Sequence, residues 1–268
     1  MKKTLLLLAM MATILTGCTK QKKALVLYYS QTGTTQTLAE ELQKQLGADI
    51  ERIEAAIPYD GDFQATIERS GKERENGEVP ELNPIKANLA DYDVIFLGYP
   101  IWFGTYAMPI ATLVKENDFA GKTIVPFCTF GSGGLGSSTE ALKAALPKAD
   151  IRQGYGVRQA RIEAAPKEVE RFLIENGFKE GTLAPLPEYS EQVPVTEEDS
   201  LIFDAACSGY QFPLGTPVTV GKRETEVSTD YKFTAKSRGF DGQESTSTIF
   251  VTVGNEDGAK PEFTEVVR

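Results

Sequence analysis

Apolar positions along the first two thirds of the chain alternate between two spacings. Residues 24–29, 93–98 and 122–129 are short, nearly continuous apolar runs that stop at small or hydroxyl residues. Runs of that length suit strands buried on both faces of a parallel sheet. Between them the spacing turns helical. Leu38, Ala39, Leu42 and Leu46 share one face of a helix beginning near Thr35, and Ile110, Leu113 and Val114 share a face of 108–115. Further helices are predicted over 138–146 and over 167–176, the latter closed by Gly177. An alternating strand at 50–57, broken by Pro58-Tyr-Asp-Gly61, and a weaker one at 151–157 bring the count to five. This order predicts an α/β domain, a doubly wound five-stranded parallel sheet with helices on both faces. Residues 80–84 read as a turn and 85–89 as a short helix. The charged, helix-prone stretch 62–78 reads as a solvent-facing insertion.

From Thr182 the pattern changes. Leu183-Ala-Pro-Leu-Pro-Glu188 reads as a linker and 188–200 as an acidic surface stretch. Period-two alternation follows at Val218 and Val220, at Tyr231, Phe233 and Ala235, and at Ile249, Val251 and Val253, with Gly and Asp/Asn breaks between the runs. That is the signature of a small antiparallel all-β domain. The chain therefore divides into a leader at 1–17, a tether at 18–22, the α/β domain at 23–180, a linker at 181–199 and the β domain at 200–268.

The leader changes the picture of where the protein works. Lys2-Lys3 precedes a short apolar run over 4–14, well below the roughly 20 apolar residues needed to span a bilayer, so it reads as an export signal. It ends in Leu15-Thr-Gly-Cys18, which resembles the lipobox of bacterial lipoproteins. The resemblance implies cleavage before Cys18, acylation of that cysteine, and attachment to a membrane of the bacterial cell envelope, facing outside the cytoplasm. Several acyl chains give stable anchoring where one would be marginal. Cys128 lies within an apolar run and reads as a small core residue. A Cys128–Cys207 bridge is chemically permitted in an exported protein, but there is no CxxC redox motif.

A net charge of −10 argues against nucleic acid as a partner. The acidic excess is concentrated in 181–268, which holds 15 Asp+Glu against 7 Lys+Arg. The absence of histidine removes His-based triads, imidazole acid–base chemistry and His metal sites. No metal site and no catalytic side chain is assigned.

Candidate chemistry lies in three loops expected at the carboxyl edge of the sheet, where ligands bind in open α/β folds. The first is Ser30-Gln31-Thr32-Gly33-Thr34-Thr35, between strand and helix. Unpaired N–H groups and the helix dipole make such a turn an anion site. With no Lys at the helix start it suits one monophosphate and not a triphosphate, unless it is simply a strand–turn–helix with a Thr cap. The second is Tyr99-Pro100-Ile101-Trp102-Phe103-Gly104, holding the one tryptophan, placed to stack on a flat ring or else to plug the end of the sheet. The third runs from Thr129 and Phe130 through Gly131, Gly133, Gly134 and Gly136, where main chain can approach a ligand closely or merely turn.

Together these motifs resemble those of flavodoxins over about residues 23–180. The resemblance implies the flavodoxin-like fold and flavin mononucleotide (FMN) as cofactor. It assigns the phosphate to the loop at 30–35 and the isoalloxazine ring to the loops at 99–104 and 129–136. The branch it most resembles more often has two adjacent Trp where this chain has Trp102-Phe103. With no Lys or Arg inside the loops, the surroundings would penalise the anionic, fully reduced flavin and lower its potential. A lipid-anchored carrier, passing electrons between redox partner proteins or small donors and acceptors, is the leading expectation. An FMN-dependent NAD(P)H or quinone reductase is the alternative. It would need a polar acid beside the flavin, for which Tyr99, Tyr106 or Tyr155 are the candidates. A third reading is a flavin-free lipoprotein that binds a glycan or protein through its β domain.

Overall fold

The computed structural model describes residues 23–59, 62–131, 134–210, 212–225, 227–238, 243–255 and 257–267. The expected leader, tether and Cys18 lie outside the described residues, as does Gly133.

Strand β1 (Ala24–Tyr28) leads into helix α1 (Thr34–Leu46), whose Leu38, Ala39 and Leu42 are buried as their spacing predicts. Strands β2 (Asp49–Arg52), β3 (Val94–Trp102) and β5 (Thr123–Phe130) join β1 in a parallel sheet. The fifth position is shared by β6 (Asp150–Ile151) and β7 (Tyr155–Arg158), giving the order β2-β1-β3-β5-β6/β7. Strand order reverses beside β1, which places a crevice at its carboxyl end. Helices α1 and α5 (Ala165–Glu175) cover one face, around Val26, Phe96, Leu42 and Leu173. Helices α3 (Met108–Glu116) and α4 (Gly136–Ala145) cover the other, around Leu27, Ile95, Ile110 and Leu142.

Four local expectations need correction. The strand expected over 50–57 leaves the sheet after Arg52. Beyond Ile53 the chain pairs with 81–83 instead, through an Ala55–Leu82 bridge and hydrogen bonds from Ala56 N to Glu81 O (2.8 Å) and Asn83 N to Glu54 O (2.9 Å). The helix expected over 85–89 is extended chain, because the Glu51 carboxylate accepts the N–H groups of Lys86 and Ala87 at 2.6 and 2.7 Å. Only Leu89–Asp91 makes a single 3-10 turn. The strand expected at 151–157 is split. Pro126 has no N–H to offer at the level of the break, and a Cβ on Gly154 would lie 2.3 Å from the Pro126 carbonyl. Lastly, 62–78 is not a solvent-facing insertion. It contains helix α2 (Phe63–Asn76), capped by Asp62 and Gly77, with Thr66 and Ser70 buried against the domain.

After residue 190 a second, antiparallel sheet forms. Its strands are β8 (Val193–Pro194), β9 (Thr216–Glu224), β10 (Ser228–Arg238), β11 (Glu244–Gly254) and β12 (Glu262–Val267). They lie in the order β12-β11-β10-β9-β8. The alternating residues Val220, Phe233, Ala235, Ile249 and Val251 face one core with Phe203 and Phe263. Phe203 comes from helix α6 (Glu197–Cys207), an element the sequence reading passed over as acidic surface. Its acidic run is the first turn of a helix. Thr196 and Asp199 form a reciprocal capping box, and the negative charge lies at the helix end where the dipole favours it. Both β8 and the start of α6 fall within the stretch assigned to the linker. Cys128 is buried and Cys207 partly so, and both are free thiols.

Candidate functional site

The turn between β1 and α1 follows its sequence closely. Gly33 takes φ +95°, a left-handed conformation a side chain would resist, and α1 begins directly after it without a side-chain cap. The N–H groups of Thr34, Thr35 and Gln36 therefore start the helix with no intrahelical acceptor. Ser30 is buried, and its hydroxyl accepts the Gly33 N–H (3.2 Å). Thr32 is exposed, Thr34 half-buried and Thr35 buried. A Cβ on Gly33 would meet nothing within 4 Å, so the turn is open at Gly33 itself. Orphaned amides, hydroxyls and an open glycine fit a phosphate.

Two residues that the sequence reading missed hold this turn. Arg52, the last residue of β2, donates Nη2 to the Ser30 carbonyl at 2.8 Å. The cradle is thus not neutral, as its own residues implied. Being aligned with Tyr28 across the parallel pairing, Arg52 was placed to reach the turn. Thr66 on α2 accepts a bond from Gln31 Nε2 (2.5 Å), so α2 braces the turn from the side.

The second loop is largely a strand. β3 continues through Trp102, turns back at Phe103 (φ +50°) and Gly104 (φ +75°), and pairs with β4 (Thr105–Tyr106). Tyr99 is fully buried and its hydroxyl is 3.1 Å from Ser138 Oγ, so its side chain is part of the core. Pro100 and Ile101 are half-buried. Trp102 does not stand free at the mouth. It meets Tyr59 and Tyr29 edge-to-face, at ring-centroid distances of 5.0 and 5.8 Å. Desolvation pushes the Tyr29 phenol up to about 12. Tyr59, in the segment read as a strand break, is buried, donates to Glu73 (2.5 Å) and lies 3.9 Å under the Arg69 guanidinium. Phe103 is the exposed aromatic of the group, with Arg74 5.3 Å from its ring.

The third loop is tied to the first by a 2.7 Å hydrogen bond between the buried hydroxyls of Thr35 and Thr129. Phe130 is buried, while Gly131 and Gly136 are exposed, and a Cβ at either would meet nothing within 4 Å. Arg158 at the end of β7 donates Nε to the Gly131 carbonyl (3.2 Å). Gly134 is buried at φ +66°, and a Cβ there would lie 3.3 Å from Glu265 Oε1, a residue of β12. The first and third loops thus meet at one edge of the sheet, with the Trp102 cluster beside Tyr29 at the end of β1. Arg52, Arg74 and Arg158 approach them from outside, although the loops themselves carry no Lys or Arg.

Two of the candidate phenolic acids are hydrogen-bonded inside the fold. Tyr155 donates to Glu168 (2.7 Å), Tyr99 is engaged with Ser138, and burial pushes all three phenols, Tyr106 included, above the ordinary tyrosine range. Among the described residues no cluster could hold a metal ion. A cavity of about 200 Å³ opens beside the phosphate turn, between Tyr29, Ser30, Arg52 and Tyr59. A larger one, about 380 Å³ between Ile85 and Asp118, lies off the three loops and bears on none of them.

Nothing among curated protein sequences matches the chain. The crystal structure of a Bacteroides uniformis protein described as a candidate flavoprotein is 31% identical, covering 56% of this chain and 98% of its own, with a TM-score of 0.50. A similarly described Bacteroides eggerthii structure is 33% identical over 56% of this chain and 98% of its own (TM-score 0.47). A Lactobacillus acidophilus flavoprotein solved with FMN is 21% identical over 56% and 97% (TM-score 0.47). A family model described as flavodoxin matches residues 23–171, more than half of the chain, and the protein belongs to the flavodoxin family.

Proposed function

We propose that the N-terminal domain binds FMN and carries electrons between redox partners outside the cytoplasm, held to a membrane through acylated Cys18. The observation that carries the cofactor is the open turn behind Gly33. Three helix-initiating amides lack intrahelical acceptors there, beside the unobstructed Gly33 and with Ser30, Thr32, Thr34 and Thr35 as hydroxyl neighbours. Arg52 behind the Ser30 carbonyl adds positive charge suited to a phosphate dianion. Flavodoxin-family membership supports the same cofactor. When bound, FMN would supply one- and two-electron transfer, and the protein orientation and electrostatics. The chain's own part is to fix the phosphate at 30–35, to bring the glycine loop alongside through the Thr35–Thr129 bond, and to shield one side with Trp102, Tyr29 and Tyr59.

The lipobox-like Leu15-Thr-Gly-Cys18 supports the anchor and the envelope location. A carrier is favoured over a reductase because Tyr99 and Tyr155 are committed to hydrogen bonds inside the fold. The test is the absorbance spectrum of a chain begun at Thr19, titrated with FMN, followed by turnover assays with NAD(P)H and a quinone. Binding with a perturbed flavin spectrum and negligible turnover is the expected result. Lack of binding at micromolar FMN would overturn the cofactor, and brisk turnover would overturn the carrier. Lipid attachment is checked by mass spectrometry of the envelope-extracted protein and its Cys18→Ser variant.

A further inference from the structure

The family match ends at residue 171, yet the β12 strand of the second module lies against the glycine loop of the first. Arg158 joins the two. Its Nε holds the Gly131 carbonyl, its Nη1 donates to the Phe263 carbonyl at 3.1 Å, and its guanidinium stacks 4.4 Å over the Phe263 ring. Beside it Arg161, nearly buried, bridges Glu168 of α5 (2.6 Å) and Glu262 of β12 (3.1 Å). Between these contacts and the loop stands Glu265, with Oε1 against Gly134. Both cations of the interface are engaged with other acceptors, and among the described residues the Glu265 carboxylate has no hydrogen-bond or ion-pair partner. Glu265 is exposed, and partial desolvation beside the loop pushes its carboxyl above the ordinary glutamate range.

The two arginine contacts hold β12 through Phe263 and Glu262, and so hold the exposed carboxylate of Glu265 beside the glycine loop. We propose that the C-terminal module is part of the flavin site, and that Glu265 is a positioning residue that places negative charge at the ring-side loop and so weakens binding of the reduced, anionic cofactor relative to the oxidised one. The inference rests on FMN binding at the three loops. It makes the module a built-in regulator of the cofactor's redox balance. This would supply the penalty on the reduced form that the neighbouring arginines would otherwise relieve.

The test compares the full chain with Glu265→Gln and Glu265→Lys, measuring dissociation constants for oxidised and chemically reduced FMN by equilibrium titration under anaerobic conditions. Oxidised FMN should bind all three within about twofold. Reduced FMN should bind about fivefold more tightly to the Gln variant and more tightly again to the Lys variant, a graded response to charge that a packing role would not produce. An unchanged reduced-to-oxidised ratio in both variants, with wild-type FMN binding intact, would overturn the role of Glu265 alone. Absence of FMN binding by the wild type would instead overturn the flavin reading on which it rests.

Discussion

The two sides of the cleft are built differently. On the phosphate side, strand, turn and helix are consecutive in sequence, and the decisive features are local: a glycine at φ +95°, hydroxyl neighbours and an uncapped helix start. On the ring side every wall comes from a distance. Trp102 is backed by Tyr29 and Tyr59, Phe103 packs with Arg74 of α2, and the glycine loop is held by Arg158 and faced by β12. The difference teaches that a turn with the makings of an anion site can be assembled from one consecutive stretch, with Arg52 and Thr66 bracing it from outside. Shaping a surface for a flat ring needs side chains that no local pattern brings together.

The comparison is broken most severely from the phosphate side. The double substitution Thr32→Leu/Thr34→Leu should leave the fold intact and weaken FMN binding at least about 100-fold, read by titration. It removes two hydroxyls and adds bulk beside the amides. Micromolar binding by that variant would show that the local turn is not the anchor. Next in size is Gly98→Ala, a test of tertiary packing. Its Cβ would lie 2.1 Å from the Phe127 ring, and the overpacking should cost about 3 kcal/mol, lowering the melting temperature by roughly 6–12 °C.

The second module gives a smaller effect confined to itself. Asp199 accepts from the Thr196 N–H (3.0 Å) and pairs with Lys222 at 2.6 Å. Desolvation pushes its carboxyl up, but the Lys222 and Thr196 hydrogen bonds together outweigh that and leave it below the usual 3.8. Lys222, hydrogen-bonded to Asp199, is raised above 10.5. The pair's contribution is therefore complete between about pH 4 and pH 10. It is lost as pH falls through the lowered Asp199 value, and again as pH rises through the raised Lys222 value. Asp199→Asn should cost about 2 kcal/mol of module stability at pH 7, by denaturant titration, and flatten the acid limb. The mildest change is Arg158→Ala. Removing the clamp should raise protease cleavage in 183–188 about fivefold, roughly 1 kcal/mol of docking, with little change in the melting of the α/β domain. Equal cleavage would mean that the modules are held together without it.

Legibility in the sequence follows the same division. The apolar runs placed β1, β3 and β5 within a residue or two, except that the 99–104 loop is mostly strand and hairpin. Nothing in Tyr99-Pro-Ile-Trp distinguishes a loop from an extension paired only with its own return. The same limit applies to 50–57, whose alternation is real but is satisfied by two partners, β1 as far as Arg52 and then 81–83. Helix α2 was visible as helix-prone and misjudged as detached. Its buried positions are Thr66 and Ser70, polar residues that an apolar pattern does not mark; Thr66 accepts from Gln31, while the Ser70 hydroxyl donates back within the helix to the Thr66 carbonyl. The acidic run at 197–199 hid α6 because charge was read as solvation and not as a helix start.

By itself the sequence determined the parallel sheet, its order of elements, the glycine turn between β1 and α1, and the change to an antiparallel β part. Each of these depends on periodicity or on neighbours within a few positions. Only the tertiary structure decided that Arg52 underlies the turn at Ser30, that Trp102 is held in a tyrosine cluster, and that Glu265 of the last strand faces Gly134. Those pairings join residues up to 131 positions apart. They are selected by which buried faces and unpaired polar groups find partners when the chain closes on itself, and a linear pattern does not contain that choice.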